Sequence, residues 1–387
     1  MQQIEVTIEK LIEGGDGLAH YDGKAVFIPQ SLPQEKVLAS IIEDKSDFSR
    51  AIVDEILEPS NYRVDPCCPY YGICGGCDFQ HVKASAQAEF KQSLCFENLK
   101  RIGQFDIEDA DITILPVATG PSLGYRSRIR FHVDVDEQRA GFLAATSNTL
   151  VDIDHCPVAT ERLNRLLGEK RPLLMKAATM RRVQQGWQRR TPFIEVPAFE
   201  GDTKVSLSNF IVHVTVLDKV FAVDSNAFFQ TNRFVLPEMV DFVRSHAVGN
   251  RVMDLYSGVG LFAAFLEEPG REVIAVERNE RALELARKNL SSSTQLYTQS
   301  VEHWSRSQNE SVDTVVVDPP RSGLGGEVVD AISSWEPKVV IYVSCNSVTL
   351  ARDIKRFAQS GYKPKLLQVF DVYPQTSHVE TVVMLSR

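Results

Sequence analysis

The sequence predicts an α/β protein in three parts, ending in a doubly wound, mostly parallel sheet. From Arg251 onward, short apolar strands alternate with amphipathic helices, which is typical of a parallel sheet covered by helices on both faces. The N-terminal part instead shows short alternating strands separated by turn residues, as in a small β-barrel. We expect the barrel at residues 1–58, a central α+β domain at 59–225 and the parallel-sheet domain at 226–387.

The individual elements follow from local patterns and turn signals. In the barrel, strands are predicted at Ile4–Ile8, Lys24–Pro29, Lys36–Ile42 and Phe48–Val53. In the central part, helices are predicted at Ala84–Gly103 and Ala159–Ala178, with strands at Arg126–Val135, Phe193–Val196 and Ile211–Val216. The C-terminal part is predicted to contain strands at Arg251–Leu255, Val273–Glu277, Thr314–Asp318 and Val339–Val343, and helices at Leu261–Glu267 and Glu280–Leu290. The last two strands, Lys365–Phe370 and Glu380–Leu385, are predicted to form an antiparallel hairpin at the sheet edge.

The composition is that of an ordinary globular protein, with 387 residues of which 43% are hydrophobic and 24% charged. The first residues have neither the basic nor the apolar region of a secretory signal, and no apolar run approaches the roughly 18 residues of a membrane span. We therefore expect a cytoplasmic protein, and we expect it to be a monomer. In that compartment the seven cysteines serve metal binding or catalysis rather than disulfides.

The net charge of −9 is unevenly distributed. Residues 1–60 contain 5 Lys/Arg and 12 Asp/Glu, whereas residues 120–190 contain 13 Lys/Arg and 7 Asp/Glu. The basic segment includes the pairs Arg181-Arg182 and Arg189-Arg190, and the arginines Arg126, Arg128 and Arg130, which alternate along one predicted strand. Side chains at alternate positions share one face, so these three arginines can follow a phosphate backbone. A solvated charged face is the alternative interpretation.

Reactive side chains lie at the ends of the predicted C-terminal strands. Cys345 follows the strand Val339–Val343, Asp318 ends the strand before it, and Glu380 begins the last strand. Ligands bind at the carboxyl ends of strands in an open α/β sheet. A single cysteine is usually a small buried hydrophobe, but a thiol at a strand-to-helix turn faces the positive end of the helix. That position should lower its pKa and favour the thiolate.

A cofactor site is predicted where the first parallel strand ends, in the run Asp254-Leu255-Tyr256-Ser257-Gly258-Val259-Gly260. Glycines let the backbone approach a ligand at the start of the next helix, and Glu277, at the end of the next strand, can accept hydrogen bonds from ribose hydroxyls. Ala263 stands where a pyrophosphate fingerprint requires a third glycine, and Asp254 would repel a pyrophosphate. The pattern favours S-adenosylmethionine, with NAD or FAD as the alternative.

Three cysteines lie close together at Cys68, Cys74 and Cys77, and Cys156 can supply a fourth ligand from far along the chain. Thiolates at this spacing, with glycines between them, fit a zinc or iron–sulfur site. Three close ligands and one distant ligand favour a 4Fe-4S cluster. Cys67 could replace Cys68, and Cys95 is interpreted as structural.

Together these motifs resemble the RNA 5-methyluridine methyltransferases, the iron–sulfur-containing uracil-5 family, over nearly the whole chain. The N-terminal part looks like a TRAM domain, and the four cysteines match the family cluster. The matching motifs in the C-terminal part are Phe228-Phe229-Gln230-Thr231-Asn232, Asp318-Pro319-Pro320-Arg321, Ser344-Cys345-Asn346 and His378-Val379-Glu380. Several members carry an asparagine after the second glycine, where this chain has Leu261.

The resemblance implies a Rossmann-like methyltransferase domain and a specific uridine in structured RNA as the substrate, with rRNA favoured over tRNA. It implies that Cys345 is the nucleophile, that Glu380 is the base, and that the residues contacting S-adenosylmethionine are Gln230, Tyr256, Glu277 and Asp318. The chemistry agrees, because thiolate addition to carbon 6 makes carbon 5 of uracil nucleophilic and a base must then remove the carbon-5 proton. Two alternatives are a methyltransferase acting on a protein or small molecule, and a non-catalytic RNA-binding module.

Overall fold

The computed structural model describes residues 2–108, 110–185, 193–207 and 210–387. Its first part is a sheet with strand order β1-β5-β6-β4-β3-β2. The strands are β1 (Gln3–Thr7), β2 (Lys10–Leu11), β3 (Gly17–Tyr21), β4 (Lys24–Ile28), β5 (Lys36–Asp44) and β6 (Phe48–Glu58). Alternate residues of these strands, such as Ile4, Val26, Val37 and Ala51, belong to one buried cluster. Because strands across the sheet share a single core, the predicted small barrel is confirmed.

The central part is a second antiparallel sheet, of order β10-β9-β8-β11-β12, with two helices packed on it. The elements of this part are α1 (Ala84–Arg101), β8 (Arg128–Asp134), β9 (Arg139–Leu143), β10 (Leu150–Asp152), α2 (Glu161–Leu167), α3 (Arg171–Gln185), β11 (Ile194–Glu200) and β12 (Val205–Ser206), followed by the separate hairpin β13 (Val212–Val216) and β14 (Lys219–Val223). Strand β7 (Thr113–Ile114) lies between α1 and β8 in the chain but joins the C-terminal sheet.

The single helix predicted over Ala159–Ala178 is wrong, since the structure has two helices there. Gly168 ends α2, and Pro172 stands in the first turn of α3, where a missing N–H costs no hydrogen bond. Arg126, predicted to begin a strand, lies just before β8 and forms isolated bridges with Asn232 and Ala159. The predicted basic pair Arg189-Arg190 lies outside the described residues.

The C-terminal part is a sheet of order β17-β16-β15-β18-β19-β21-β20-β7. Its elements are α4 (Leu236–His246), β15 (Arg251–Leu255), α5 (Leu261–Leu266), β16 (Glu272–Glu277), α6 (Glu280–Asn289), β17 (Gln295–Thr298), α7 (Val301–Trp304), β18 (Thr314–Val317), α8 (Gly326–Ser334), β19 (Val339–Ser344), α9 (Ser347–Gln359), β20 (Lys363–Phe370) and β21 (Glu380–Ser386). Successive residues of a strand face opposite clusters, as Ile341 and Tyr342 do in β19. The sheet is therefore covered on both faces, and the predicted Rossmann-like fold is confirmed.

The predicted C-terminal hairpin is present, but its predicted position at the edge is wrong. Strand β21 pairs antiparallel with both β19 and β20, and the short strand β7 covers β20. An antiparallel strand between β19 and β20 begins at the edge where the parallel strands end. That arrangement places Glu380 beside the end of β19, at the same edge of the sheet where β15, β16 and β18 end. Among the described residues, no helix combines the length and apolar character needed to cross a bilayer.

Candidate active site

Cys345, directly after β19, and Glu380, the first residue of β21, lie opposite each other at the ends of neighbouring strands. Ser344, the last residue of β19, pairs with Thr381 of β21 in antiparallel register, so Cys345 and Glu380 occupy the next register position. The Cys345 side chain is half-buried, whereas Glu380 is only 3% exposed. Asp318 leaves the adjacent strand β18, and its charge contributes to the pKa values of both residues. The predicted thiol and both predicted carboxylates therefore meet in one site.

The protonation state of the site differs from the prediction made for the thiol. Burial, followed by repulsion from Glu380 and Asp318, raises the pKa of Cys345 to about 12. The direction is therefore opposite to the expected lowering, because burial and the two carboxyl groups raise the pKa and Cys345 lies before Asn346, the N-cap of α9. Burial raises the pKa of Glu380 well above its ordinary value, as expected, and raises that of Asp318 to about 7.

Three further side chains surround this group, and no role could be assigned to them from the sequence. Arg321 is the cation that opposes the raised pKa values of Cys345 and Glu380, and its Nη2 lies 3.1 Å from the His378 ring nitrogens. Desolvation and then Arg321 lower the pKa of His378 to about 4, so its imidazole is neutral at pH 7. Tyr373 packs edge-on against His378, and its pKa is raised by burial and then by Glu380.

The glycine-rich loop lies between the ends of β15 and β16. Tyr256 has a φ of 63°, which is strained for a non-glycine residue, and its hydroxyl donates to Glu302 at 3.0 Å. The Glu277 carboxylate accepts from the N–H of Gly258 at 3.0 Å and therefore holds the loop. Asp254 is fully buried below the loop, where Ala263 N donates to its Oδ2 at 2.8 Å and burial raises its pKa to about 8.

The residues of this loop fit a polar ligand. Three buried oxygens have no hydrogen-bond partner within the described part of the chain: Gln230 Oε1, Asp254 Oδ1 and Ser257 Oγ. A buried polar atom without a partner is costly, and a bound molecule that donates hydrogen bonds removes that cost. A Cβ at Gly258 would meet nothing within 4 Å, so the loop borders open space.

The four predicted metal ligands, Cys68, Cys74, Cys77 and Cys156, line one cavity of about 310 Å³. Backbone bonds from Gly75 N to Leu143 O and from Ala145 N to Ile73 O, each 2.9 Å, pin this cysteine loop to the end of β9. The alternative ligand Cys67 is exposed, and its Sγ donates to Gln80 at 3.6 Å. Cys95 is fully buried on α1.

The four thiols share the cavity without converging on a single point. Among the described residues, no group of three or more His, Cys, Asp or Glu side chains is arranged to hold one metal ion. Burial raises the pKa of Cys77 to about 12, and those of Cys74 and Cys156 are raised for the same first reason. Four free thiols around one cavity nevertheless fit the donor set of an iron–sulfur cluster, which cysteine thiolates hold at four separate irons.

The predicted arginine face is present, and Arg126 and Arg130 line the same cavity as the four cysteines. Arg126, Arg128 and Arg130 alternate with buried residues, and Arg128 lies over the Phe228 ring at 5.6 Å. Arg130 pairs with Glu195 at 3.5 Å, whereas within the described ranges neither Arg126 nor Arg128 forms an ion pair. Most other arginines of the basic segment are neutralised: acidic partners lie within 4 Å of Arg139, Arg162, Arg165, Arg171 and Arg182.

Comparison with known proteins shows the family to which the chain belongs. Family models match residues 1–53 (TRAM domain), 232–332 (methyltransferase small domain) and 305–387 (tRNA (uracil-5-)-methyltransferase). A Bdellovibrio bacteriovorus protein named as an uncharacterized RNA methyltransferase is 34% identical, over 99% of this chain and 95% of the relative. The 23S rRNA (uracil(1939)-C(5))-methyltransferase RlmD of Vibrio parahaemolyticus is 31% identical, over 99% of this chain and 95% of the relative.

Among solved structures, the Pyrococcus abyssi tRNA (uracil-54, C5)-methyltransferase in complex with S-adenosyl-L-homocysteine matches with a TM-score of 0.75. It is 25% identical and covers 99% of this chain and 100% of that chain. Fold and site together define an S-adenosylmethionine-dependent methyltransferase that carries a TRAM domain and acts on RNA. The chain belongs to the RNA (uracil-5-)-methyltransferase family.

Proposed function

We propose that this enzyme methylates carbon 5 of one uridine in structured RNA through a covalent bond between Cys345 and the base. The observation that carries this proposal is the register of β19 and β21, which brings a thiol and a carboxyl group together at the sheet edge. We favour rRNA over tRNA as the substrate. The support is that RlmD, named for 23S rRNA, is 31% identical, whereas the tRNA enzyme of known structure is 25% identical.

The first half of the reaction needs the Cys345 thiolate. As its sulfur bonds to carbon 6 of uracil, the electrons of the carbon 5–carbon 6 bond move toward the carbonyl oxygen at carbon 4. Arg321 is the cation that opposes the raised pKa of Cys345, so it stabilises the thiolate. The target base must leave its stack to reach the thiol, which favours a loop or an opened segment of the RNA.

The second half releases the product. Once carbon 5 carries the methyl group, the Glu380 carboxylate takes the carbon-5 proton, the carbon 5–carbon 6 double bond re-forms and the bond to sulfur breaks. Glu380 must be ionised to accept that proton, although burial favours its neutral form. Arg321 opposes the raised pKa of Glu380 and so favours its ionised form. Glu380 can therefore alternate between the carboxylate that accepts the proton and the neutral acid that results.

S-adenosylmethionine, when bound, would supply the methyl group to carbon 5 and leave as S-adenosylhomocysteine. We propose that Gln230, Tyr256, Glu277 and Asp318 bind it. The unpartnered oxygen of Gln230 and the position of Glu277 beside the Gly258 N–H support this assignment. Asp318 leaves β18 between the glycine-rich loop and Cys345, so it can orient the donor toward the base.

We further propose that Cys68, Cys74, Cys77 and Cys156 hold a 4Fe-4S cluster, supported by the cavity that they share. The cluster would supply a covalent tie between the cysteine loop and the segment after β10. Anaerobically purified protein should contain about four irons per chain. Cys68→Ala should lose the iron, whereas Cys67→Ala, which changes the neighbouring exposed thiol, should keep it. One zinc and no iron in the wild type would contradict the cluster.

The cysteines also support a cytoplasmic location, because all seven are unpaired, as in a reducing compartment. We expect the protein to act there as a monomer.

The proposed function is tested most simply by mapping 5-methyluridine in RNA from cells that lack the protein. RNA from cells lacking the protein should lack 5-methyluridine at one position of 23S rRNA, and the purified enzyme should restore it. Loss from a tRNA instead would overturn the substrate assignment and retain the chemistry. Unchanged 5-methyluridine in both RNAs would reject the proposed function.

A further inference from the structure

The loop between β20 and β21, residues 371–379, leads directly into Glu380, and we call it the base loop. Loops usually lie on the surface, where water satisfies the backbone. This loop instead is largely buried, with Asp371 5%, Gln375 7% and Ser377 8% exposed. It also carries Tyr373 and His378, the two rings beside the catalytic group. Its conformation therefore determines what surrounds Glu380.

Lys91 of α1 is fully buried beneath this loop. Its Nζ donates to Asp371 Oδ1 at 2.5 Å and to the Tyr373 carbonyl oxygen at 2.9 Å. A buried ion pair is a poor source of stability compared with apolar residues of the same size, because both charges lose their hydration. The pair instead fixes the position of the base loop, because one ammonium group binds both Asp371 and Tyr373, the first and third residues of that loop.

Gln87 lies one turn earlier on α1 and binds the middle of the base loop. Its Oε1 accepts from Gln375 N at 2.7 Å, and its Nε2 donates to Gln375 Oε1 at 3.1 Å. Gln375 has a φ of 69°, a left-handed conformation that costs energy in a non-glycine residue. Such a conformation persists only where the surroundings fix it, and here the amide of Gln87 does so.

Asp78 fixes the end of the same loop. Its two carboxylate oxygens accept from Ser377 N and Ser377 Oγ, both at 2.6 Å. In return, the Gln375 carbonyl oxygen accepts from Asp78 N at 3.2 Å and from Phe79 N at 3.0 Å. Asp78 directly follows Cys77, so the cysteine loop and the base loop are joined at this point.

We propose that Asp78, Gln87 and Lys91 are positioning residues that hold the base loop so that Glu380 can remove the carbon-5 proton. The proposal rests on the proposed function. The three residues act through the loop and do not touch the substrate. A displaced loop should slow release of the methylated product, whereas S-adenosylmethionine binding, which involves other segments, should be unchanged.

The test compares Lys91→Met with Lys100→Met, which removes an exposed lysine of the same helix paired with Asp106. Lys91→Met should lower kcat by roughly 10–100-fold, as misplacement of a catalytic group does, while the Kd for S-adenosylmethionine stays within about twofold because its binding site is unchanged. Methylated RNA–protein adduct should accumulate on a denaturing gel. Lys100→Met should behave as wild type. An unchanged kcat in Lys91→Met would overturn the proposal.

A double variant separates positioning from stability. Lys91→Met leaves Asp371 as a buried unpaired charge, so the variant should have a lowered Tm; adding Asp371→Asn should restore much of it. We expect kcat to stay low in the double variant, because the hydrogen bond from residue 91 to the Tyr373 carbonyl oxygen is still missing. Recovery of kcat together with Tm would overturn the positioning role.

Gln87→Ala provides an independent check with no charge change. It should show the same lowered kcat and accumulated adduct, and a wild-type kcat would contradict the role of Gln87. The wild-type enzyme distinguishes failure of the proposed function from failure of the positioning role. If the wild type forms no adduct with 5-fluorouridine RNA, the proposed function fails. If the wild type does form the adduct and both Lys91→Met and Gln87→Ala turn over normally, the proposed function stands and the positioning role fails.

Discussion

Replacing Glu380 by glutamine tests the assignment of the base at a single buried atom. The side chain is 3% exposed, and its Oε2 has no hydrogen-bond partner in the described part of the chain, so an amide of the same shape can occupy its place. General base catalysis contributes about 10²–10⁴-fold, equivalent to about 2.7–5.5 kcal/mol. We expect kcat to fall by that factor while the first methyl transfer still occurs, because Cys345 and the cofactor site are unchanged.

The same substitution changes the pH dependence of stability. In the folded protein the Glu380 pKa is raised well above its ordinary value of 4.5, so above pH 4.5 the unfolded chain ionises this group while the folded chain keeps it protonated. Wild-type stability therefore falls as pH rises toward the folded-state pKa, by at most about 1.4 kcal/mol per pH unit. Glu380→Gln lacks this loss, so it should have nearly the wild-type Tm at pH 5 and a higher Tm at pH 7.5.

The assay follows labelled S-adenosylmethionine and RNA on a denaturing gel. Glu380→Gln should accumulate an adduct containing both the methyl group and the RNA, whereas wild type should release methylated RNA. If kcat of Glu380→Gln lies within about tenfold of wild type, the base assignment is refuted, because a loss that small is below the roughly 10²–10⁴-fold contribution of a general base. A Tm difference that does not grow with pH would show that Glu380 is already ionised in the folded protein.

Two other predictions follow from the charges of the site. Adduct formation at low RNA concentration should accelerate roughly tenfold per pH unit between pH 7 and 9, because the raised pKa of Cys345 makes the thiolate a minor species that increases with pH; a flat profile would indicate a preformed thiolate. Changing Arg126, Arg128 and Arg130 to glutamine should weaken RNA binding and reduce the log–log salt slope by roughly 0.7–0.9 per lost phosphate contact. Changing Lys10, Lys24 and Lys36, which already pair with Glu97, Asp44 and Glu5, should do much less. Equal losses in both RNA-binding variants would contradict the arginine face.

The sequence predicted those parts of the fold that local patterns determine. The apolar strands β18 and β19 and the glycine-rich turn could be found because each pattern lies within about ten residues. The break between α2 and α3 at Gly168 and Pro172 is not predicted by the pattern, because the apolar spacing of a helix continues through both residues. The nearby aspartates could equally have paired with the arginines of the predicted face, but Asp134, Asp136 and Asp152 pair instead with Arg139, Arg182 and Arg171.

Features that depend on distant residues could not be predicted. The thiol pKa was expected to fall because the sequence shows the following helix; it rises because burial and carboxylates from two other strands act on it. Lys91 lies 280 residues from Asp371, and no local pattern marks a lysine on a helix as buried. The roles of Arg321 and His378 are equally long-range, although the motifs containing them were visible.

The most direct test of the covalent mechanism is to locate the bond. After the enzyme reacts with 5-fluorouridine RNA and S-adenosylmethionine, nuclease and trypsin digestion should yield one modified peptide, residues 339–352, carrying a methylated fluorouridine on Cys345. Cys345→Ala should form no adduct and no product, whereas Cys67→Ala should behave as wild type. A modified residue elsewhere, or appreciable product from Cys345→Ala, would contradict covalent catalysis by this thiol.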